Sequence, residues 1–269
     1  MYHLGQYDPG QSLIHRLDPR VKILCTVVLS VLIFQAGIRT GIFFSLFLGS
    51  VFLISGITVK HLWQALKPAL FIFSFLFLLH VFFTRGRPLL PWVSGPFAPT
   101  YEGLFLGVLT TLRFMLLIFC ATLLTGATLP MDLVHGLERL LRPLNYIGIP
   151  SHDIALMISL ALGFIPTFML ELQKIKEAQT ARGVNFSSGS IFKRLQKTAY
   201  LLIPLLINAF RRADKLADAM ESRGYRRGSR TYLREFHFSH NDLAVTGLMV
   251  VMTCGYVFRL QILKFFNPY

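Results

Sequence analysis

Charge is scarce in this sequence, and acid scarcest of all: 13 Asp+Glu stand against 27 Lys+Arg, and charged side chains make up only 15% of 269 residues. Soluble domains carry about 25% charged residues. A chain that is 54% hydrophobic and holds 25 Phe cannot be covered by so few polar groups, so a water-soluble fold is excluded and an integral membrane protein is implied. Cysteine is nearly absent. Cys25, Cys120 and Cys254 each lie inside an apolar run, and an odd count without CxxC argues against a disulfide framework or a zinc site. No glycine is followed by lysine, so the G-x-x-x-x-G-K-[ST] phosphate loop is missing. Any ATP chemistry must then belong to other polypeptides. Of eight histidines only His237 and His240 have local spacing, without a cysteine or third ligand nearby, and no Asp, His or Cys constellation marks an enzyme site. The chain is expected to be non-catalytic, with no metal and no cofactor of its own.

What is abundant is long apolar runs. A spanning helix needs about 20 mostly apolar residues, and candidates are Ile23 to Ile38, Gly41 to Val59, Leu62 to Phe83, Gly103 to Leu129 and Leu243 to Leu263. Pro88, Pro91, Pro96 and Pro99 make the stretch from Arg85 to Thr100 an extended external loop. The first apolar run begins after some twenty polar residues and lacks an A-x-A exit, so no cleaved leader is expected. With the N-terminus inside, 21 Lys+Arg fall on the cytoplasmic side, 16 of them between residues 130 and 240, against five outside (Arg39, Arg85, Arg87, Arg259 and Lys264). That bias predicts a cell-membrane protein with N-terminus in and C-terminus out. It also argues against both Ser151 to Leu170 and Ala199 to Phe210 crossing, because the basic stretch between them would then lie outside. The reading is all-α and polytopic: a cytoplasmic segment 1–22, a four-helix region 23–129, a cytoplasmic-side helical region 130–240 and a last span 241–269. Apolar parts of 130–240 are expected at the membrane interface or against partner proteins.

Within 130–240 two long helical patterns close alike. One ends in Ala181-Arg182-Gly183, the other in Ser222-Arg223-Gly224, each with a proline upstream (Pro166, Pro204) and an acid five positions before the arginine (Glu177, Asp218). Glycine accepts left-handed backbone and stops a helix. Arginine in the last turn faces the negative end of the helix dipole. An ordinary helix ending explains each tip taken alone. Two parallel endings 41 residues apart also suit a pair of levers, each offering a planar fork to a carboxylate on another protein.

The opening Gly5-Gln6-Tyr7-Asp8-Pro9-Gly10-Gln11-Ser12-Leu13-Ile14-His15-Arg16-Leu17-Asp18-Pro19-Arg20-Val21-Lys22, together with the two small-Arg-Gly endings, resembles the transmembrane T component of energy-coupling factor (ECF) transporters, and does so over essentially the whole chain. The resemblance implies an all-helical scaffold whose cytoplasmic coupling helices sit in grooves of two ABC-type ATPase subunits. It also implies a separate membrane-embedded S component that binds the substrate and topples to release it when the ATPases work. The family's two Ala-Arg-Gly motifs fall on Ala181-Arg182-Gly183 and Ser222-Arg223-Gly224, the second with serine for alanine. Glu177, Asp218, Asp18 and Arg20 are candidate supporting residues. The Gly-Gln-Tyr opening resembles the shared-module branch that serves several vitamin-specific S components, with the cobalt and nickel branch as the rival.

Other features admit plainer readings. Asp18 reads as a helix N-cap with Pro19 in the first turn, against a direct contact with the ATPases. Arg113 stands inside an apolar run, where insertion costs about 2.5–3.5 kcal/mol, so it either snorkels or finds a backbone carbonyl or a subunit. Gly103-Leu-Phe-Leu-Gly107 is a helix-packing cue that a single match leaves near chance. The basic run from Tyr225 to Arg230 suits anionic lipid, and nucleic acid is not expected as a partner, because no stacking module accompanies the run. A self-contained secondary transporter is the competing class. It calls for intramembrane acids, and the five runs contain none.

Overall fold

The computed structural model describes residues 8, 10, 12–89, 99–143, 151–186, 188, 190–226 and 239–266. Among them the chain forms nine helices: α1 (Leu13–Arg16), α2 (Pro19–Gln35), α3 (Ile38–Ser55), α4 (Val59–Phe83), α5 (Tyr101–Ala127), α6 (Pro130–Leu141), α7 (Ser151–Ala181), α8 (Ile191–Ser222) and α9 (His240–Phe266). The only β pairing among the described residues is an isolated bridge between Pro88 and Thr100. It sits in the proline-rich link between α4 and α5, whose described parts are non-helical as their proline content requires. The protein is therefore an all-α, multi-pass membrane protein, as its composition demands. Five described helices are long and apolar enough to cross a bilayer: α3, α4, α5, α7 and α9. Many of their large apolar side chains face outward, Leu53 at 81% and Phe71 at 80% exposure, as expected where lipid or a partner replaces water.

Two compact units divide the chain, residues 3–155 with 236–269, and residues 156–235. In the first, α5 packs against α2, α3 and α4. Lipid tails are as apolar as leucine, so close helix approach rather than water exclusion must supply the packing. Gly103 and Gly107 provide it: a Cβ on Gly103 would lie 2.5 Å from the His80 carbonyl oxygen, and one on Gly107 would lie 3.0 Å from the Phe77 ring. The Gly103-x-x-x-Gly107 spacing is thus the α4–α5 contact. Leu29, Leu32, Ile33, Phe44, Leu48, Leu116, Cys120, Leu123 and Met249 close the core between α2, α3, α5 and α9.

The expected span Ile23 to Ile38 is interrupted. Ala36 and Gly37 end one helix and start the next, leaving α2 only 17 residues from Pro19. By contrast α7, counted with the cytoplasmic-side region from its charge context, has the length and composition of a span. Helix α6, grouped with 130–240 on sequence, packs on α2 through Gly136, where a Cβ would sit 3.0 Å from Pro19 Cβ.

In the second unit, α7 and α8 are continuous helices through Pro166 and Pro204. Side-chain contacts join them at one crossing. Asn208 Nδ2 donates to Glu171 Oε1 at 2.6 Å, and the Arg212 guanidinium lies 5.8 Å and 5.7 Å from the ring centres of Phe164 and Phe168. Glu171 follows the two phenylalanines on α7 whereas Asn208 precedes Arg212 on α8, so the helices pass in opposed directions.

Candidate functional site

The two arginine tips share one backbone geometry. At the end of α7 the Gly183 N–H donates to the Thr180 carbonyl at 2.9 Å and the Val184 N–H to the Gln179 carbonyl at 3.0 Å. At the end of α8 the Gly224 N–H donates to Glu221 and the Tyr225 N–H to Met220, both at 2.9 Å. This is the Schellman pattern twice, with glycine at the position after the cap. Gly183 has φ +88° and Gly224 φ +77°, the left-handed region where a side chain is strained. The half-buried Val184 and Tyr225 follow them, in the place where an apolar residue closes such a cap. Arg182 and Arg223 therefore both occupy the C-cap, both exposed. Among the described residues neither guanidinium has an ion-pair partner. Each stands 11 residues beyond the crossing, Arg182 after Glu171 and Arg223 after Arg212, an arm of about 16 Å at 1.5 Å per residue. A cation on a helix C-terminus, with no ion pair among the described residues, is suited to a carboxylate from outside the chain.

Glu177 and Asp218 do not brace these arginines within the chain. Glu177 instead accepts from Gln173 Nε2 at 2.9 Å, one turn back, and Asp218 is exposed. Five residues along a helix turn the side chain by about 140°, so acid and arginine face different directions. Both carboxylates remain at the surface near the tips.

Asp18 and Arg20 belong to a second place, a buried polar knot in the first unit. Asp18 caps α2 as the sequence predicts: its Oδ1 accepts from the Arg20 N–H at 2.9 Å, with Pro19 in the first turn. The Asp18 N–H donates to Asp242 Oδ1 at 2.9 Å, and Asp242 Oδ2 accepts from the Ser239 N–H at 2.8 Å. Lys22 Nζ donates to the carbonyls of His15 and Ala127 at 3.1 and 3.0 Å, the latter at the C-terminus of α5, where carbonyls lack helical partners. Asp18 and Asp242 are 4% and 1% exposed. Burial first and the neighbouring Asp242 second push the Asp18 carboxyl above its ordinary range, and among the described residues its Oδ2 has no hydrogen-bond partner. The Asp-Pro-Arg-x-Lys string thus ties the starts of α2 and α9 to the ends of α1 and α5. Ahead of it, Asp8 accepts from the Thr58 N–H at 3.2 Å and from the Thr58 hydroxyl at 2.8 Å, bonds that hold its carboxyl below the usual value. Gly5-Gln6-Tyr7, Pro9, Gln11, His237 and the basic stretch from 227 to 230 lie outside the described residues.

Arg113 has its partner in the bundle. Its Nε donates to the Ala36 carbonyl at 2.8 Å, while the Tyr256 hydroxyl donates to the Gln35 carbonyl at 2.8 Å. Two orphan carbonyls at the end of α2 are thereby satisfied by α5 and α9.

Sequence reasoning missed Asp242 and the crossing residues Glu171, Asn208 and Arg212. Asp242 had a signal: Ser239-His-Asn-Asp242 before an apolar run has capping-box spacing, and the Asp242 carboxylate does reach back to the Ser239 N–H. The crossing had none, since its pairs are set by tertiary packing. Among the described residues no cluster of three His, Cys, Asp or Glu is placed to hold a metal.

Residues 10–233 match the family model described as CbiQ, cobalt transport protein. A protein of Thermosediminibacter oceani named energy-coupling factor transporter transmembrane protein EcfT is 46% identical over 253 residues, covering 92% of this chain and 95% of its own. The proteins of that name from Brevibacillus brevis and Bacillus subtilis are 44% and 40% identical, covering 94% and 93% of this chain and 97% and 94% of theirs.

Proposed function

The chain belongs to the family of CbiQ cobalt transport proteins and energy-coupling factor transporter transmembrane proteins, and from that premise we propose that it is the scaffold and coupling subunit of an ECF-type importer of the shared-module vitamin branch. In this reading two ABC-type ATPase subunits, alike or different, bind and hydrolyse ATP. Arg182 and Arg223 dock into one ATPase each. The outward apolar faces hold a membrane-embedded S component that carries the vitamin or other micronutrient. The chain itself performs no chemistry and holds no cofactor.

The observation that carries this reading is the pair of exposed, C-capping arginines on equal arms from one crossing. Two equivalent tips suit two similar grooves, and a crossed pair of rigid helices converts relative motion of the tips into motion at the membrane. The positive-inside bias supports a cytoplasmic N-terminus and coupling region with the C-terminus outside. A second reading, the cobalt and nickel branch, is favoured by the name of the matching family model. Affinity purification of the tagged chain from membranes in mild detergent separates these. Two P-loop ATPases plus a vitamin-type S component support the proposal, and a metal-specific partner moves the chain to the second branch. The chain recovered alone would point to a self-contained transporter.

A further inference from the structure

The α7–α8 crossing is assembled from mismatched pairs. On α7, Phe164, Phe168 and Glu171 follow one another at i, i+4 and i+7 and so share a face. On α8, Asn208 and Arg212 do the same at i and i+4. The acid meets the neutral amide, while the cation rests on two rings whose centres are 6.0 Å apart. Glu171 Oε2 is buried with no hydrogen-bond partner among the described residues.

We propose that this crossing is a two-position latch, in which Arg212 exchanges between the Phe164–Phe168 rings and Glu171 as α8 slides along α7. Each position satisfies what the other leaves wanting. On the rings the guanidinium gains a cation–π contact, and the carboxylate keeps one oxygen unmatched in a site where an unmatched polar atom is costly. On Glu171 it completes the carboxylate and gives up the rings. Asn208 and Arg212 are four residues apart, so a slide of about 6 Å carries the arginine to the place the asparagine now holds, close to the scale of a known one-turn ratchet between packed helices. Pro166 lies within the crossing on α7 and Pro204 one turn before it on α8, and each removes a backbone hydrogen bond there, which eases small axial adjustments. A slide of α8 moves Arg223 relative to Arg182 by the same distance. Arg212 and Glu171 are thus positioning residues that act through the tips, an inference that rests on the coupling role proposed above.

The test is a double-mutant cycle on the complete transporter in proteoliposomes, reading substrate taken up per ATP hydrolysed. Glu171→Gln keeps an acceptor for Asn208 and loses the charge, whereas Arg212→Gln loses the cation. Each single change is expected to lower the ratio about tenfold with complex yield unchanged. The double change is expected to be no worse than the weaker single, because both remove one contact, and Arg212→Lys is expected to recover most of the uptake. Multiplied losses, loss of assembly, unaffected singles, or a lysine no better than glutamine would each overturn the latch. If the wild-type chain fails to assemble with ATPases, the coupling role itself falls, a result distinguishable from all of these.

Discussion

Asp18 and Asp242, 224 residues apart, meet where α2 and α9 begin, and there Asp242 Oδ1 accepts the Asp18 backbone N–H at 2.9 Å. The other oxygen of the same carboxylate accepts the Ser239 N–H. One side chain therefore terminates two helix starts, α2 and α9, in a place closed to solvent.

Asp242→Ala leaves two backbone N–H groups without an acceptor. An unsatisfied buried donor costs about 1–3 kcal/mol, so the variant should lose several kcal/mol of stability, with a clear fall in Tm in detergent. Asp242→Asn, which retains one acceptor oxygen, should fall less. Equal Tm values for wild type and the alanine variant would remove the knot from the account.

Asp18 carries a pH signature. Its carboxyl is raised from the ordinary 3.8 by burial and by Asp242, so the folded state holds this proton more tightly than the unfolded state. The stabilising contribution is complete below the ordinary value and is lost as pH rises through the higher folded value. Asp18→Asn keeps an oxygen for the Arg20 N–H and cannot ionise. The Tm difference between variant and wild type should therefore grow in the variant's favour from about pH 4 towards neutrality. A difference that does not vary with pH contradicts the shift.

Arg113→Met separates insertion from folding. Methionine retains much of the aliphatic length and loses the donor to the Ala36 carbonyl. Insertion should improve, since a mid-helix arginine costs about 2.5–3.5 kcal/mol, while the folded bundle loses a charged hydrogen bond of about 1.5–3 kcal/mol. Membrane insertion assayed by glycosylation mapping should hold or rise as Tm falls. A variant that folds as stably as wild type would mean that Arg113 merely snorkels.

Local features were legible in the sequence because they depend on neighbours in the chain. Apolar runs marked four of the spanning helices, Asp18-Pro19 marked the start of α2, and Arg-Gly marked the two helix ends. The break at Ala36-Gly37 was less visible, for Ile38 continues the apolar run without a proline. Assigning α7 to the cytoplasmic side followed from the lysines and arginines beyond it, whereas its own composition up to Leu170 is that of a span. Partners of buried polar groups were not legible: Arg113 with Ala36, Lys22 with Ala127 and Glu171 with Asn208 join positions 37 to 105 residues apart, chosen by packing. The same holds for Gly107, whose use depends on Phe77 lying against it.

The proposed transmission of ATPase motion through Arg182 and Arg223 is tested most directly by Arg182→Glu and Arg223→Glu, singly and together, with uptake and co-purified ATPase measured on the same membranes. Truncating one partner of a buried charge pair costs about 2–5 kcal/mol, so each reversal should weaken ATPase recovery and sharply reduce uptake. The double reversal should abolish both, while the chain remains in the membrane at wild-type levels. Normal assembly and uptake in the double variant would contradict the account and leave the two tips as ordinary helix endings.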